Sequence, residues 1–476
     1  MGQKSINQQH IRRQRIKYIV ADIVSVLIAW VLFFVFRRIE IESNVIREIQ
    51  LFSPVYNFKE LLFGIPFFWL FIFWLSGYYN QPYRKSRLTE LAQTFLSTFF
   101  GSIALFFILL LDDPVVDYRD YYLSLIVLFA IYFTVVYLFR YTITLIATRQ
   151  IHTRKIGFNT LIVGAGKNAK AIYDELESMK MSSGHFIQGF ISCEGEQVTE
   201  GLNVLGDLSR LDDIVKEKEI REVIIAMDSA DRDAIFPAIH KLYQYDVIVR
   251  LIPRVYDFLI GSIRIVSIYG TPLVTALEVP MNDFEKNVKF LFDKVFSCVM
   301  LILLSPLLLI LSILVKLSSD GPILYQQERI GLYGKPFKIL KFRTMRMDAE
   351  ASGPQLAKEG DNRVTKIGHY YRKYRFDELP QFINVLRGDM SIVGPRPERK
   401  YFGEKIAEKA PYYGLVHRVK PGITSWATVK YGYASDIDQM VRRLHYDIIY
   451  LDNTSLLVDL KILIYTVITV VTGRGL

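Results

Sequence analysis

Four long apolar runs lie in the first 150 residues, and they constrain the fold more than any other feature of this chain. They cover approximately residues 18–36, 61–79, 91–111 and 121–139. Each is long enough to cross a bilayer, so the pattern predicts an α-helical transmembrane bundle over residues 1–150. The first run lacks a small-residue cleavage site and three more runs follow, which argues against a signal peptide. No charge lies mid-run, so the pattern does not indicate a transport pathway.

The charged residues around these runs predict the orientation of the bundle. Lys and Arg are concentrated before the first run, in the second connection and after the fourth run, whereas the third connection is acidic and the first is mixed. Because cytoplasmic segments carry the excess of Lys and Arg, both ends of the bundle are expected in the cytoplasm. The basic residues are Arg12, Arg13, Arg15, Lys17, Arg84, Lys85, Arg87, Arg140, Arg149, Arg154 and Lys155, and the acidic ones are Asp112, Asp113, Asp117 and Asp120.

The net charge of +10 would suit a nucleic-acid partner, but no zinc-ligand spacing or RNA-binding motif accompanies it. We therefore expect no nucleic acid and interpret the charge as facing anionic lipid and anionic substrates. Only Cys193 and Cys298 occur, far apart in the chain, so the sequence does not indicate a disulfide. This is typical of soluble parts that lie in the cytosol.

Residues 151–280 change to alternating strand and helix patterns, which predict an α/β Rossmann-like cytoplasmic domain. A turn with Gly164 and Gly166 fits a dinucleotide-binding fingerprint. The second strand, however, ends in Ser192 and Cys193, where a ribose-binding acid is expected, and the domain has no Tyr-x-x-x-Lys pair. A structural or regulatory, non-catalytic module is therefore favoured. Cofactor binding by the two glycines stays the alternative.

Residues 281–476 open with a helical pattern over residues 288–317 that contains an uncharged stretch long enough to cross a membrane. Ser305 and Pro306 lie at its midpoint, where proline removes a helical hydrogen bond and the serine hydroxyl can satisfy a freed carbonyl. Hydropathy alone indicates a kinked fifth span. A full crossing, however, would place the polar residues that follow outside the cell. We therefore predict a re-entrant membrane helix in front of an α+β catalytic domain.

The stretch from residue 361 to residue 397 carries the candidate site. Its segment DELPQFINVLRG predicts a short helix, with Asp377 as its cap, Glu378 next and Pro380 in the first turn. Four basic residues flank this pair: Arg372, Lys373, Arg375 and Arg396. A helix N-terminus ringed by cations favours phosphate and lowers the pKa of a carboxylate, as a nucleophile or a magnesium ligand requires. In isolation, Asp377 would simply be a helix cap.

Three more basic residues are candidate phosphate contacts, because guanidinium and ammonium groups bind phosphate. Arg329 lies in a predicted strand pair, and Lys341 and Arg343 lie at its end. The histidines have no metal-ligand spacing and are interpreted as structural. Residues 451–471 mix apolar and charged positions, which is typical of an interfacial helix that lies on the membrane.

These motifs resemble the bacterial polyprenyl-phosphate sugar-1-phosphate transferases, which are phosphoglycosyltransferases of the monotopic superfamily. The resemblance is to the large form, with a four-helix membrane bundle and a Rossmann-like middle domain. Residues 377–397 match one part of the family signature without a break. In the KPGIT stretch, Ser425 replaces a glycine of the family pattern. The other part of the signature is matched by Asp361, Arg363, Thr365 and Gly368.

The resemblance implies the transfer of a hexose-1-phosphate, glucose or galactose, from a UDP-sugar to undecaprenyl phosphate, with release of UMP. It implies that Asp377 forms a covalent phosphosugar in a ping-pong reaction and that Glu378 binds Mg²⁺. It assigns substrate binding to Arg329, Lys341, Arg343, Arg375, Pro395, Arg396 and Pro397.

The same resemblance implies a place in the cell. The protein would lie in the bacterial inner membrane as a multi-pass protein, with its catalytic domain on the cytoplasmic face and the bilayer as a partner. It would initiate repeat units of an exopolysaccharide, a capsule or an O-antigen, and a homodimer is compatible with it.

Two other functions fit parts of the sequence. One is a membrane-anchored nucleotide-sugar epimerase or dehydratase that uses the Gly-rich turn, although the Tyr-x-x-x-Lys base is missing. The other is a non-catalytic scaffold for polysaccharide assembly, which has no need of the Asp377-Glu378 pair.

Overall fold

In the computed structural model, the chain forms two compact units: residues 1–158 with 179–186, and residues 159–178 with 187–476. The division into three domains at residues 150 and 280 remains a prediction. The structure describes residues 4–37, 39–40, 58–109, 118–228, 235–252, 273–276, 279–318, 320–347, 349, 353, 355–356, 361–432 and 434–472.

The first unit is built on apolar helices, as expected for a membrane protein. Its elements are β1 (Lys4–Ser5), α1 (Gln8–Arg37), α2 (Phe58–Leu75), α3 (Arg87–Leu109) and α4 (Tyr118–His152). By length and composition α1, α3 and α4 can each cross a membrane, whereas α2 is a shorter apolar helix over Gly64–Leu75. The predicted acidic connection with Asp112, Asp113 and Asp117 lies outside the described residues.

Aromatic side chains fill the core of this bundle. Trp69 of α2 is fully buried and stacks on Tyr132 of α4, with ring centroids 4.5 Å apart. Gly101 of α3 faces the same indole, and a Cβ atom there would come within 2.4 Å of the ring. The glycine therefore lets α3 approach α2 closely enough for Trp69 to fill the space between the helices.

A buried ion pair also lies inside the bundle. Arg140 of α4 donates from Nε and Nη2 to the two carboxylate oxygens of Asp22 of α1, at 2.8 Å each. Both side chains are fully buried. Next to them, Glu90 of α3 accepts hydrogen bonds from Tyr78 and Thr144 at 2.6 Å each. Asp22 lies near the start of the first run and not at its middle, and its charge is neutralised by a residue of another helix.

A mostly parallel sheet has most of its residues in the second unit. Its strands are β2 (Ile156–Val163), β3 (His185–Ser192), β4 (Val204–Asp207), β5 (Glu222–Ile225), β6 (Ile248–Leu251) and β7 (Val274–Ala276). The strands lie in the order β4-β3-β2-β5-β6-β7, and β1 pairs with β2. The pairs β3-β4, β2-β5 and β5-β6 are parallel, and the pair β6-β7 is antiparallel. The connecting helices are α5 (Lys167–Ser178), α6 (Leu211–Glu217) and α7 (Phe236–Leu242). Since β2 and β5 are buried along their whole length, as in sheets covered on both faces, the predicted Rossmann-like fold is confirmed.

The remaining elements form the predicted α+β part. The strands are β8 (Leu324–Ile330), β9 (Pro336–Phe342), β10 (Ser391–Val393) and β11 (Gly422–Thr424). The helices are α8 (Asp283–Leu303), α9 (Ser305–Ser318), α10 (Lys366–Lys373), α11 (Gln381–Arg387), α12 (Lys400–Lys409), α13 (Trp426–Lys430), α14 (Ile437–Asp452) and α15 (Leu456–Val471). β8 and β9 form the expected antiparallel pair, and β10 and β11 pair in parallel.

The apolar helix that opens this part is broken near the predicted position. α8 ends at Leu303, α9 begins at Ser305, and the two axes differ by 65°. Pro306 has no amide hydrogen with which to bond the carbonyl of Ile302, and the hydroxyl of Ser305 donates to that carbonyl at 2.8 Å instead. The side chain thus compensates for the hydrogen bond that proline removes. Whether the pair enters and leaves on one side of a membrane stays a prediction.

Two lysines of α8 attach this helix to the rest of the second unit. The Nζ of Lys294 donates to the carbonyl of Val385 at 2.8 Å and to that of Leu386, at the end of α11. Lys289 donates to the carboxylate of Asp459 on α15 at 2.5 Å. The broken helix is therefore fixed to the short helix that follows Asp377 in the chain.

The sheet and the α+β part contact each other within the second unit. The ring of Tyr243 lies against Gly414, where an added Cβ atom would come within 2.2 Å of it. Arg418 donates to the carbonyls of Tyr245 and Val247 at 3.1 and 3.4 Å. Removal of the sheet would therefore expose the surface of the α+β part that it covers. Whether the sheet matters for activity is better tested with point variants than with truncation.

Candidate active site

The predicted site pair lies in a tight turn and not at a helix cap. Residues Phe376–Glu378 form a single 3₁₀ turn, and α11 begins only at Gln381. The turn starts at Arg375, whose backbone is left-handed with φ 56° and ψ 25°. Such a conformation is unfavourable for a residue with a side chain, and it occurs mostly where the surroundings enforce it. The prediction of one helix with Asp377 as its cap is therefore wrong.

Three cations converge on Glu378. The Nζ of Lys341, at the end of β9, donates to its Oε1 at 2.7 Å, and a guanidinium nitrogen of Arg396 lies 3.5 Å from the same atom. Arg375 donates to Oε2 at 3.3 Å. The left-handed residue thus directs its own side chain back to the turn. The structure brings together five of the predicted site residues: Asp377, Glu378, Lys341, Arg375 and Arg396.

The two carboxylates differ in their electrostatics although both are buried. Burial raises the pKa of Asp377 above its usual value, because the opposing effect of Lys341 is smaller and the charge of Glu378 adds to the shift. Burial also acts to raise the pKa of Glu378, but Lys341, Arg396 and Arg375 outweigh it and hold that pKa below the ordinary range. The expected lowering of the pKa therefore applies to Glu378 and is wrong for Asp377.

Arg396 projects from a loop of residues 394–398 that is held on several sides. Arg329 donates to the carbonyl of Pro397 at 3.1 Å and lies 3.7 Å from the carboxylate of Glu398. The carbonyl of Pro395 accepts the amide of Gly422 at 2.9 Å. Arg329 thus holds the loop through Pro397, and the carbonyl of Pro395 holds it through Gly422. The guanidinium of Arg396 lies beside Glu378.

Arg343 is buried at the end of β9, and its Nη1 lies 3.7 Å from the sulfur of Met347. Its predicted role in phosphate binding stays a prediction. Sequence reasoning also missed three buried charged residues: Glu398 in the loop itself, and Arg443 and Asp447 on α14. The signal that could have revealed them is the position of Arg443 and Asp447, four residues apart on the inward face of α14.

The carboxylate pair provides the kind of ligands that a magnesium ion takes. Asp377 and Glu378 offer hard oxygen donors side by side, which suits Mg²⁺. Among the described residues, no group of three or more His, Cys, Asp or Glu side chains could hold a metal ion. Mg²⁺ often binds through one or two carboxylates together with substrate phosphates, so this donor set fits it in a complex with substrate.

The Gly-rich turn of the sheet is filled by the chain itself. The carboxylate of Asp228 accepts the amides of Lys167 and Asn168 at 2.7 and 2.8 Å, at the start of α5. Glu196 accepts the amide of Ala165 at 3.0 Å. A Cβ atom on Gly166 would come within 2.1 Å of Asp228. These amides are the donors that a dinucleotide-binding turn directs at a pyrophosphate, so a bound nucleotide would have to displace Asp228.

This arrangement makes a prediction for Asp228→Ala. The loss of two charge-assisted hydrogen bonds should lower the stability of the full chain, by about 1–3 kcal/mol. Turnover at the site around Asp377 and Glu378, measured per folded protein, should stay close to that of the wild type, because the Gly-rich turn contributes no residue to that site. Thermal unfolding and turnover, measured on the same preparation in detergent, would check this. Loss of turnover without loss of stability would assign the turn a catalytic role.

Comparisons with known proteins cover both parts of the chain. The bacterial sugar transferase family matches residues 284–473, and a CoA-binding domain family matches residues 75–253. A UDP-N-acetylgalactosamine-undecaprenyl-phosphate N-acetylgalactosaminephosphotransferase of Aeromonas hydrophila is 40% identical over 224 residues, or 47% of this chain and 52% of the relative.

Two further relatives share the name UDP-glucose:undecaprenyl-phosphate glucose-1-phosphate transferase. The one from Escherichia coli (strain K12) is 38% identical over 55% of this chain and 57% of the relative. The one from Klebsiella pneumoniae is 35% identical over 66% of this chain and 68% of the relative. The chain thus spans between about half and two thirds of the length of these relatives.

Proposed function

Since this chain belongs to the bacterial sugar transferases, we propose that it transfers a hexose-1-phosphate from a UDP-sugar to undecaprenyl phosphate and releases UMP. The observation that carries the proposal is the turn with Asp377 and Glu378, buried beside three cations. Lys341, Arg375 and Arg396 provide the positive charge that a diphosphate needs in a site shielded from water.

The first half of the proposed reaction uses Asp377 as the nucleophile. Its carboxylate oxygen forms a bond to the β-phosphorus of the donor, and the bond from that phosphorus to the bridging oxygen breaks. UMP leaves with the bridging oxygen and its electron pair. Lys341, Arg375 and Arg396 neutralise the charge that shifts to the leaving phosphate. Mg²⁺ held by Glu378 would supply further neutralisation of the diphosphate when it is bound.

The second half regenerates the enzyme. A phosphate oxygen of undecaprenyl phosphate bonds to the phosphorus carried by Asp377, and the bond between that phosphorus and the carboxylate oxygen breaks. The product is a sugar linked to the lipid through a diphosphate, and Asp377 is again a free carboxylate. Because the two substrates react in separate steps, a water-soluble donor and a lipid acceptor need not be bound together.

The activity is tested most directly by UMP release. Membranes that contain the full chain would be supplied with UDP-glucose, UDP-galactose or UDP-N-acetylgalactosamine, with and without undecaprenyl phosphate. We expect sustained UMP release from at least one donor, only when the acceptor is present. If no donor gives UMP above the level of membranes without the protein, the proposed function fails.

The proposed setting is the inner membrane, with the catalytic part on the cytoplasmic side, where nucleotide sugars are made. We propose that α8 and α9 form a re-entrant pair and that the lipid product initiates a surface polysaccharide. The 65° bend between these helices supports the re-entrant arrangement, because a single straight span needs no such break.

Cysteine labelling tests this topology. Lys286→Cys and Lys316→Cys place one thiol in the first turn of α8 and one near the end of α9, at exposed positions, in a background with Cys193→Ser and Cys298→Ser. With a membrane-impermeant reagent, both thiols should react only from the cytoplasmic side. Arg12→Cys, at a position that the charge pattern predicts to be cytoplasmic, is the positive control. Reaction of the two test positions from opposite sides would establish a full span.

A further inference from the structure

Asn384 of α11 is fully buried, and its side-chain amide bonds the backbone of β9. Its Oδ1 accepts the amide of Leu340 at 2.9 Å, and its Nδ2 donates to the carbonyl of Lys338 at 2.8 Å. Because a backbone amide can only donate and a carbonyl can only accept, these partners also determine which end of the side-chain amide is the oxygen. One side chain thus binds β9 at two points, as a neighbouring strand would.

The edge of β9 that faces α11 needs such a partner. Among the described residues β9 pairs with one strand, β8, so its second edge has no strand neighbour. A backbone group buried there without a hydrogen bond would cost folding free energy. Ile339 and Val385 also pack in one apolar cluster, but apolar contacts have no direction and would let the helix slide along the strand. The two bonds of Asn384 prevent sliding, because a shift by one residue would offer it the wrong backbone groups.

The bonded stretch of β9 leads directly to a residue of the site. Lys341 follows Leu340, and its Nζ donates to Glu378 at 2.7 Å. The side chain of Lys341 is only 18% exposed, so packing restricts how far the ammonium could follow Glu378 if the strand moved. A displacement of about 1 Å would already take the two groups out of hydrogen-bond range. Because Glu378 lies in the turn that leads into α11, Asn384 joins the two elements that carry the partners of this ion pair.

We propose that Asn384 is a positioning residue for the transfer reaction: by binding the backbone of β9, it fixes Lys341 at Glu378, where the ammonium meets the diphosphate of the donor. The inference rests on the proposed function for its chemistry, whereas its geometric part does not. In this role Asn384 contacts no reacting atom and acts through Lys341. Its side chain should therefore matter for the rate only as far as Lys341 matters.

The test begins with Asn384→Leu in the full chain, which keeps the approximate size of the side chain and removes both bonds to β9. We expect kcat for UMP release to fall about 10- to 100-fold per folded protein, since small misplacements of a reacting group's neighbours cost up to that much. KM for the donor should change less, because Lys341 neutralises charge that develops as the bond breaks. Val385→Ala, at the next residue, is the matched control: it removes apolar packing and leaves both bonds intact. It should lower the unfolding temperature and keep kcat per folded protein close to that of the wild type.

A second variant and a double variant separate positioning from general damage. Asn384→Ala leaves room for a water that can satisfy the two backbone groups but cannot fix their position, so it should be slowed as well. With Lys341→Met as the background, either change at Asn384 should cause little further loss, because no ammonium is left to position. Multiplication of the two losses would overturn the proposal, and so would a normal kcat of both Asn384 variants beside an active wild type.

Hydrogen exchange tests the geometric part without substrate, even if the wild type releases no UMP from any donor and the proposed function fails. The amide of Leu340, resolved from its neighbours by fragmentation of the exchanged peptide, should exchange slowly in the wild type. It should exchange clearly faster in Asn384→Leu and Asn384→Ala, with unchanged exchange in β8 as evidence of an intact strand pair. An unchanged rate for Leu340 would show that Asn384 does not hold β9, and the proposal would fall.

Discussion

Replacement of Asp377 by Asn is expected to abolish both the transfer of sugar phosphate and the release of UMP in the absence of acceptor. The wild type, mixed with donor alone, should release UMP in an amount no greater than that of the enzyme, because each molecule forms one covalent phosphosugar. Intact-protein mass spectrometry should show a mass increase of one hexose phosphate on the wild type and none on Asp377→Asn. The loss should exceed about 1,000-fold, as expected when a nucleophile is removed.

The control for this prediction is Glu404→Gln, which alters an exposed acid on α12. It should form the adduct as the wild type does. An adduct that persists in Asp377→Asn, or kinetics that require both substrates to be bound at once, would contradict the role of Asp377.

The pH dependence of adduct formation follows from the same burial. The reactive form of Asp377 is the ionised one, and burial raises its pKa in the folded protein. As pH falls through that raised pKa, the ionised fraction falls and adduct formation should decline on the weakly acidic side. Glu378, whose pKa is held low by its three cations, should stay ionised over this range.

The second large effect is expected in the bundle. Asp22→Asn removes the charge that neutralises Arg140, and breaking a buried ion pair from one side commonly costs about 3–5 kcal/mol. The variant should unfold at a clearly lower temperature in detergent and accumulate to a lower level in membranes. Its effect on transfer should follow the amount of folded protein, because neither residue belongs to the site.

The matched control for this prediction replaces both partners, as Asp22→Leu with Arg140→Met. With no charge left unpaired, the double variant should recover much of the stability that Asp22→Asn loses. Equal stability of Asp22→Asn and the wild type would show that the pair contributes nothing to the bundle.

The residues of the candidate site could be predicted in part from the sequence. The sequence places Arg375 two residues before the carboxylate Asp377. Lys341 and Arg396 are candidate phosphate contacts because of their residue type. The helix prediction failed because Arg375 adopts a left-handed backbone, which ends α10 and turns the chain into a 3₁₀ turn. The sequence pattern does not predict a left-handed backbone at a residue other than glycine.

Contacts between distant positions were beyond the reach of the sequence pattern. Asp22 lies near the start of the first run and Arg140 follows the fourth, and neither position in the sequence indicates that the two side chains pair. Asp228 follows the carboxyl end of β5. Only the fold shows that its carboxylate accepts the amides of the Gly-rich turn. In both cases, tertiary pairing decides what a charged residue does.

The attachment of α8 to α11 through Lys294 has a consequence for the lipid environment. In the proposed re-entrant arrangement, a rigid link between the broken helix and the helix after Asp377 fixes the height of the reacting carboxylate above the hydrocarbon. The hydrophobic thickness of the bilayer then governs how far an acceptor headgroup must rise to meet it. We therefore expect the rate of the second half-reaction to depend on the acyl-chain length of the bilayer lipids. The first half-reaction uses a soluble donor, so its rate should not change.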